Sequence, residues 1–169
     1  MEYTFTLKYQ LVGQKEEARD ALVERLAEAG CDDALIGLGI PGRIALEFIR
    51  EASSAQQAME SALEHVRSVL PDARLFEVSP DYVGLTDVAD LIGVTRQNMR
   101  KLMLAHYLTF PAPIHEGTAT IWHLAEVLTW LEKRGGYRVP ENVQEAATAA
   151  LNLNLSKEIQ RHRSQPDIL

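Results

Sequence analysis

Between Thr95 and Lys101 only Met99 lacks a hydrogen-bonding side chain; the others are Thr95, Arg96, Gln97, Asn98, Arg100 and Lys101. Base edges in a duplex groove call for these types. Arg pairs with guanine and Gln or Asn with adenine, while Lys or Thr reaches phosphate. A solvated helix face explains some polarity, but not this selection. Arg96, Gln97, Asn98 and Arg100 are therefore candidate base readers, and Thr95, Lys101 and Thr118 or Thr120 candidate phosphate contacts. Thr86 and His115 complete the candidate DNA-binding set.

Other chemistry is less well supplied. His65, His106, His115, His123 and His162 are scattered, and Cys31 has no partner cysteine, so no metal-ligand spacing is present. Gly37, Gly39 and Gly42 lead into a strand, whereas a phosphate cradle leads into a helix. Asp32-Asp33 and Glu16-Glu17 are adjacent pairs whose side chains diverge, and they read as solvated. No nucleophile, base and orienting group assemble from local spacing. The expectation is a non-enzymatic chain without a metal or cofactor.

Local signals define what must position the polar run. Thr86 precedes Asp87-Val-Ala-Asp-Leu-Ile92, where its hydroxyl could cap a short helix and Asp87 would complement the positive helix end. Val88, Ala89, Leu91 and Ile92 form the apolar face of that helix. Gly93 permits a left-handed reversal. Thr95 then caps a second helix, from Arg96 to about His106, with Met99, Leu102 and Met103 turned inward. Phe110-Pro-Ala-Pro113 leads through a hairpin to Trp122 and a third helix.

In this order, the Gly93-Val94-Thr95-Arg96-Gln97 turn, Phe110–Pro113, Trp122 and Leu124–Glu132 resemble the excisionase/AlpA-type branch of the MerR-like winged helix-turn-helix superfamily. The likeness covers residues 83–133, under a third of the chain. It implies a support helix over Thr86–Ile92, a recognition helix over Thr95–His106, a wing over Ile114–Trp122 and a packing helix over His123–Lys133. Trp122 and Trp130 would be core. The wing departs from the pattern, since His115-Glu-Gly-Thr-Ala-Thr120 holds no Lys or Arg to grip phosphate. Weak monomer affinity follows, which a dimer on two half-sites would offset.

Elsewhere the chain alternates. Glu2–Leu11 has the period of a strand, with Tyr3, Phe5, Leu7 and Tyr9 on one face, and does not read as a signal peptide. Lys15–Ala29 reads as a helix with Ala18, Leu22, Leu26 and Ala29 on one face and Gly30 just past its end. Ala34–Gly39 and Arg43–Arg50 read as a hairpin around Ile40-Pro-Gly42. Ser53–Leu70 is a helix capped by Ser53 or Ser54, and Arg74–Ser79 a fourth strand. This split βαβ pattern predicts an α+β protein with an N-terminal ferredoxin-like βαββαβ domain over 1–80. A winged helix-turn-helix over 82–134 and a C-terminal helix over 140–164 follow. That helix repeats Val143, Ala147, Leu151, Leu155 and Ile159, beside Ala146 and Ala150, and ends before Pro166. It could pack on its own domain or, through its small residues, on a second copy.

Charge is uneven. The net value is −7, yet residues 1–81 hold 8 Lys+Arg against 15 Asp+Glu, and the two later segments are each balanced. The acidic first half thus fits a sensing, dimerising or partner-binding module, or simply solubility. No apolar run approaches a membrane span, and the lone cysteine fits a reducing cytoplasm. The sequence supports a homodimeric transcriptional regulator on double-stranded DNA, with a protein partner or small effector at its acidic half, or an antitoxin-like autoregulator whose acidic half neutralises a basic partner. The other class is a protein-interaction adaptor that uses the helix-turn-helix for docking.

Overall fold

The computed structural model describes residues 1–12 and 19–163. Within them the chain is mixed α+β, with six α-helices, a four-stranded antiparallel sheet and a two-stranded ribbon. Strand β1 (Glu2–Gln10) buries Tyr3, Phe5, Leu7 and Tyr9, as its alternation predicts, and leaves the opposite face open. Helix α1 (Arg19–Leu26) widens into a π-helical turn through Cys31, with Gly30 at φ 109°. The expected start of this helix, with Lys15, Ala18 and the Glu16-Glu17 pair, lies outside the described residues, as does Pro166. Strand β2 (Ala34–Gly37) stops two residues short of the expected end, before the Ile40-Pro-Gly42 turn. β3 (Arg43–Glu51), helix α2 (Ala55–Val69) and β4 (Arg74–Ser79) complete the first layer pair. Ser54 is the α2 cap, its hydroxyl accepting from the Gln57 N–H.

The sheet order is β2-β3-β1-β4, every pair antiparallel. Asp33 is not the solvated carboxylate the sequence suggested. Arg50, inward on β3, meets both Asp33 oxygens at 2.6 and 2.8 Å and donates to the Gly30 carbonyl at 2.7 Å and Ser61 Oγ at 3.0 Å. Its guanidinium lies over the Phe48 ring, 4.9 Å from the centroid. The hydrogen bond from Arg50 holds the Asp33 carboxyl below its usual range. Cys31 is buried beside this cluster, and desolvation pushes its thiol up to about 11.

After Ser79-Pro80, β5 (Tyr82–Val83) begins a second cluster with its own core. Helices α3 (Leu85–Ile92) and α4 (Arg96–Ala105), strand β6 (Trp122–His123) and helix α5 (Leu124–Arg134) surround Val88, Met99, Trp122, Leu128 and Leu131. Helix α6 (Glu141–Arg161) joins the two cores. Ala146, Ala149 and Ala150 pack into the first and Ala147 into the second. Of the two contacts the sequence left open for the alanine stripe, its own chain or a second copy, the first is the one formed. Only the far end of the apolar repeat, Leu155 and Ile159, stays exposed.

Lower on α6, Asn154 lies against the outer edge of β4. Its Oδ1 accepts from Val78 N–H at 2.8 Å, and its Nδ2 donates to Val78 O at 2.7 Å and to Asp81 Oδ2 at 2.8 Å. Lys157 Nζ donates to Phe76 O at 2.7 Å. These side chains satisfy backbone groups that an end strand would otherwise offer to another chain. Asp81 is fully buried; its Oδ1 lies 2.6 Å from His123 Nδ1, and its carbonyl accepts from Leu124 N–H. One carboxylate thus ties the linker to α6 and to the start of α5.

Candidate nucleic-acid interface

The α3–α4 pair is set by backbone chemistry at its ends. Thr86 is not the α3 cap. That position belongs to Gly84, whose N–H donates to Asp87 Oδ2 at 2.9 Å, and Thr86 follows as the second helical residue with its side chain exposed. The Asp87 carboxylate, three residues on, accepts from the Gly84 N–H at the positive end of the helix, and no side chain at the cap position accepts from the first helical N–H groups. Gly93 adopts φ 77° after α3, the left-handed reversal expected there. Thr95 caps α4, its Oγ1 accepting from Asn98 N–H at 3.1 Å. The Thr95 hydroxyl proton remains available to an external acceptor.

Met99 and Leu102 anchor α4 inward, and Met103 packs partly against the same core. Arg96, Gln97, Asn98, Arg100 and Lys101 are all exposed, and none forms an ion pair among the described residues. They divide by direction. Arg96 and Arg100 face a cleft of about 800 Å³ that Thr86, Thr118 and Thr120 also line. Gln97, Asn98 and Lys101 lie outside that lining, on the outward side of the helix, and Thr95 and His115 do not line it either.

The far wall of the cleft is shorter than the expected wing. A single bridge pairs His115 with Ile121, with Ile114 N–H donating to Ile121 O at 2.7 Å and Ile121 N–H to His115 O at 2.9 Å. Residues 116–120 form the tip. Pro111 and Pro113 lack the N–H groups a longer ladder needs, and Trp122-His123 pair instead with Tyr82-Val83. Trp122 is buried and pins the segment, its Nε1 donating to Pro111 O at 3.0 Å and its ring meeting Phe110 edge-on. Trp130, expected in the core, is half-buried; it packs on Phe110 and His106 and donates to Thr109 Oγ1 at 3.1 Å.

Two features of the interface escaped the sequence reading. Glu116 lines the cleft opposite Arg96 and Arg100 and repels a phosphate placed near it. Leu104, Tyr107 and Leu108, at the end of α4, are 54%, 73% and 84% exposed. Helical spacing from Met99 and Leu102 would have placed Leu104 outside the buried stripe, and that was the available signal. Among the described residues no group of His, Cys, Asp and Glu has the arrangement of a metal site, and no helix is long and apolar enough to cross a membrane.

The chain matches no protein-family model, no curated protein and no solved structure.

Proposed function

We propose that this protein is a sequence-specific, non-enzymatic transcriptional regulator that binds double-stranded DNA as a cytoplasmic homodimer. In this reading residues 82–134 are a winged helix-turn-helix, with α3 the support helix, α4 the recognition helix and the 116–120 tip a reduced wing. The first 80 residues are a ferredoxin-like domain, a reading supported by the antiparallel β2-β3-β1-β4 order. The observation that carries the function is the division of α4. Arg96 and Arg100, candidate base readers by residue type, share a cleft with three threonine hydroxyls and are reassigned to a phosphodiester strand, while Gln97 and Asn98 stand outward for base edges. An acidic first half that takes up a small effector would make the chain a sensing regulator, and one that neutralises a basic partner would make it an antitoxin-like autoregulator.

The test is selection of a duplex from a randomised library, followed by titration of the intact chain. Submicromolar binding that Arg96→Ala plus Arg100→Ala weakens at least tenfold supports the reading. Absence of binding to any duplex at low salt overturns it. The exposed Tyr107 and Leu108 favour a second reading, an adaptor that docks a protein on this end of α4. In that case Tyr107→Ala plus Leu108→Ser abolishes partner capture, and DNA never competes.

A further inference from the structure

Leu104 stands among side chains suited to nucleic acid, yet it is apolar. An α-helix turns about 100° per residue, so residues seven apart fall nearly on one line. Gln97 and Leu104 share such a line along α4, and it lies opposite the buried Met99 and Leu102. Arg100 and Lys101 flank it, exposed and without ion pairs among the described residues. Half of the Leu104 side chain faces solvent at the mouth of the α4 cleft. The outermost ridge of the helix thus presents an amide, two cations and then an isobutyl group.

The flanking cations indicate a polyanion as the occupant of this ridge. A duplex major groove offers one apolar feature to such a ridge, the C5-methyl of thymine. At about 1.5 Å per residue, seven residues span about 10 Å, or about three base-pair steps of about 3.4 Å. We propose that Leu104 is a specificity-determining residue that reads a thymine methyl about three base pairs from the base met by Gln97. The inference rests on the DNA reading above and adds a base preference to it.

The experiment uses the full chain and the duplex selected from a randomised library. Each dT is replaced singly by dU, which removes the methyl and leaves the pairing edge intact. Loss of one buried methyl corresponds to a roughly fourfold weaker complex. The expected result is that loss at one thymine per half-site, with Leu104→Ala binding dT and dU duplexes equally. Gln97→Ala should relax preference about three base pairs away and leave the dU effect in place. Leu104 is a surface residue, and an unchanged circular dichroism spectrum checks that the variant folds. Full affinity at every dU position overturns the proposal, as does dU discrimination that survives in Leu104→Ala, or a selected site without thymine. Failure to bind any duplex removes the DNA reading itself, an outcome distinct from binding that ignores the methyl.

Discussion

Salt dependence offers the most direct quantitative test of the DNA reading. Neutralising a phosphate releases condensed counterions, so the logarithm of the binding constant falls linearly with the logarithm of salt. The candidate face holds three cations without ion pairs among the described residues, Arg96, Arg100 and Lys101, while the 116–120 tip adds none and Glu116 opposes them. At about −0.9 per contacted phosphate, three contacts give a slope of roughly −2.7 per protomer and roughly −5.4 for a dimer on two half-sites. Between 50 and 200 mM salt these slopes correspond to losses of about 40-fold and about 1,800-fold. Fluorescence anisotropy on a labelled selected duplex, with the oligomeric state fixed by light scattering, measures the slope. Arg96→Ala plus Arg100→Ala leaves one contact and a slope of about −0.9 per protomer. A slope unchanged in that variant would refute the assignment of these arginines to phosphate, however tightly the protein bound. A wild-type slope much steeper than roughly −5.4 would show that cations outside α4 dominate the interface.

Three further outcomes concern the scaffold. Asn154→Leu strands Val78 N–H and C=O and removes a donor from the buried Asp81, so urea denaturation should register a loss of about 3 kcal/mol, and a loss below about 1 kcal/mol would contradict the edge-sealing role. Gly30→Ala combines φ 109° with a Cβ that would lie 2.7 Å from His65 Nδ1, and a melting curve should show destabilisation of about 2 kcal/mol, partly recovered by shortening His65 to Ala. The Asp33 carboxyl is held below its unfolded value of 3.8, so its contribution is present above that pH and disappears as pH falls through the folded value; Asp33→Asn should lower stability at pH 7 and flatten its decline below pH 4, and parallel curves for the two proteins would count against the Arg50 pair as the cause.

Elements with a strong local signal were readable from the sequence. Tyr3, Phe5, Leu7 and Tyr9 fixed the inward face of β1, and Gly93 with Thr95 fixed the turn between α3 and α4, because these choices depend on a few adjacent residues. What escaped depended on distant partners. Asp33 looked solvated until β3 brought Arg50 beside it, and nothing within several residues of either predicts that pair. The α3 cap was misplaced by two residues because the helix begins at Leu85 behind a glycine, which carries no capping side chain to mark it. At the candidate interface every residue type was legible, but its direction was not. Periodicity separates buried from exposed positions, whereas the division of Arg96 and Arg100 from Gln97 and Asn98 depends on where the 116–120 tip lies.

Small residues at three- and four-residue spacing permit close approach of any element, and sequence alone does not say whether it belongs to the same chain. Here Ala146, Ala149 and Ala150 seat α6 on the first core and Ala147 seats it on the second, while Asn154 and Asp81 join them through buried hydrogen bonds. The two cores are therefore linked by packed side chains and not by a bare tether, so the first layer pair is fixed relative to α4. In the proposed DNA reading, a partner held by the acidic first half would influence binding by occupying space or by repelling phosphate from a set position. Rotation about a loose linker is not required. For the same reason a second copy cannot use the alanine stripe without unseating both cores. In the proposed homodimer its contact must lie elsewhere, on surfaces such as the exposed Leu155–Ile159 end of α6 or the open face of the sheet.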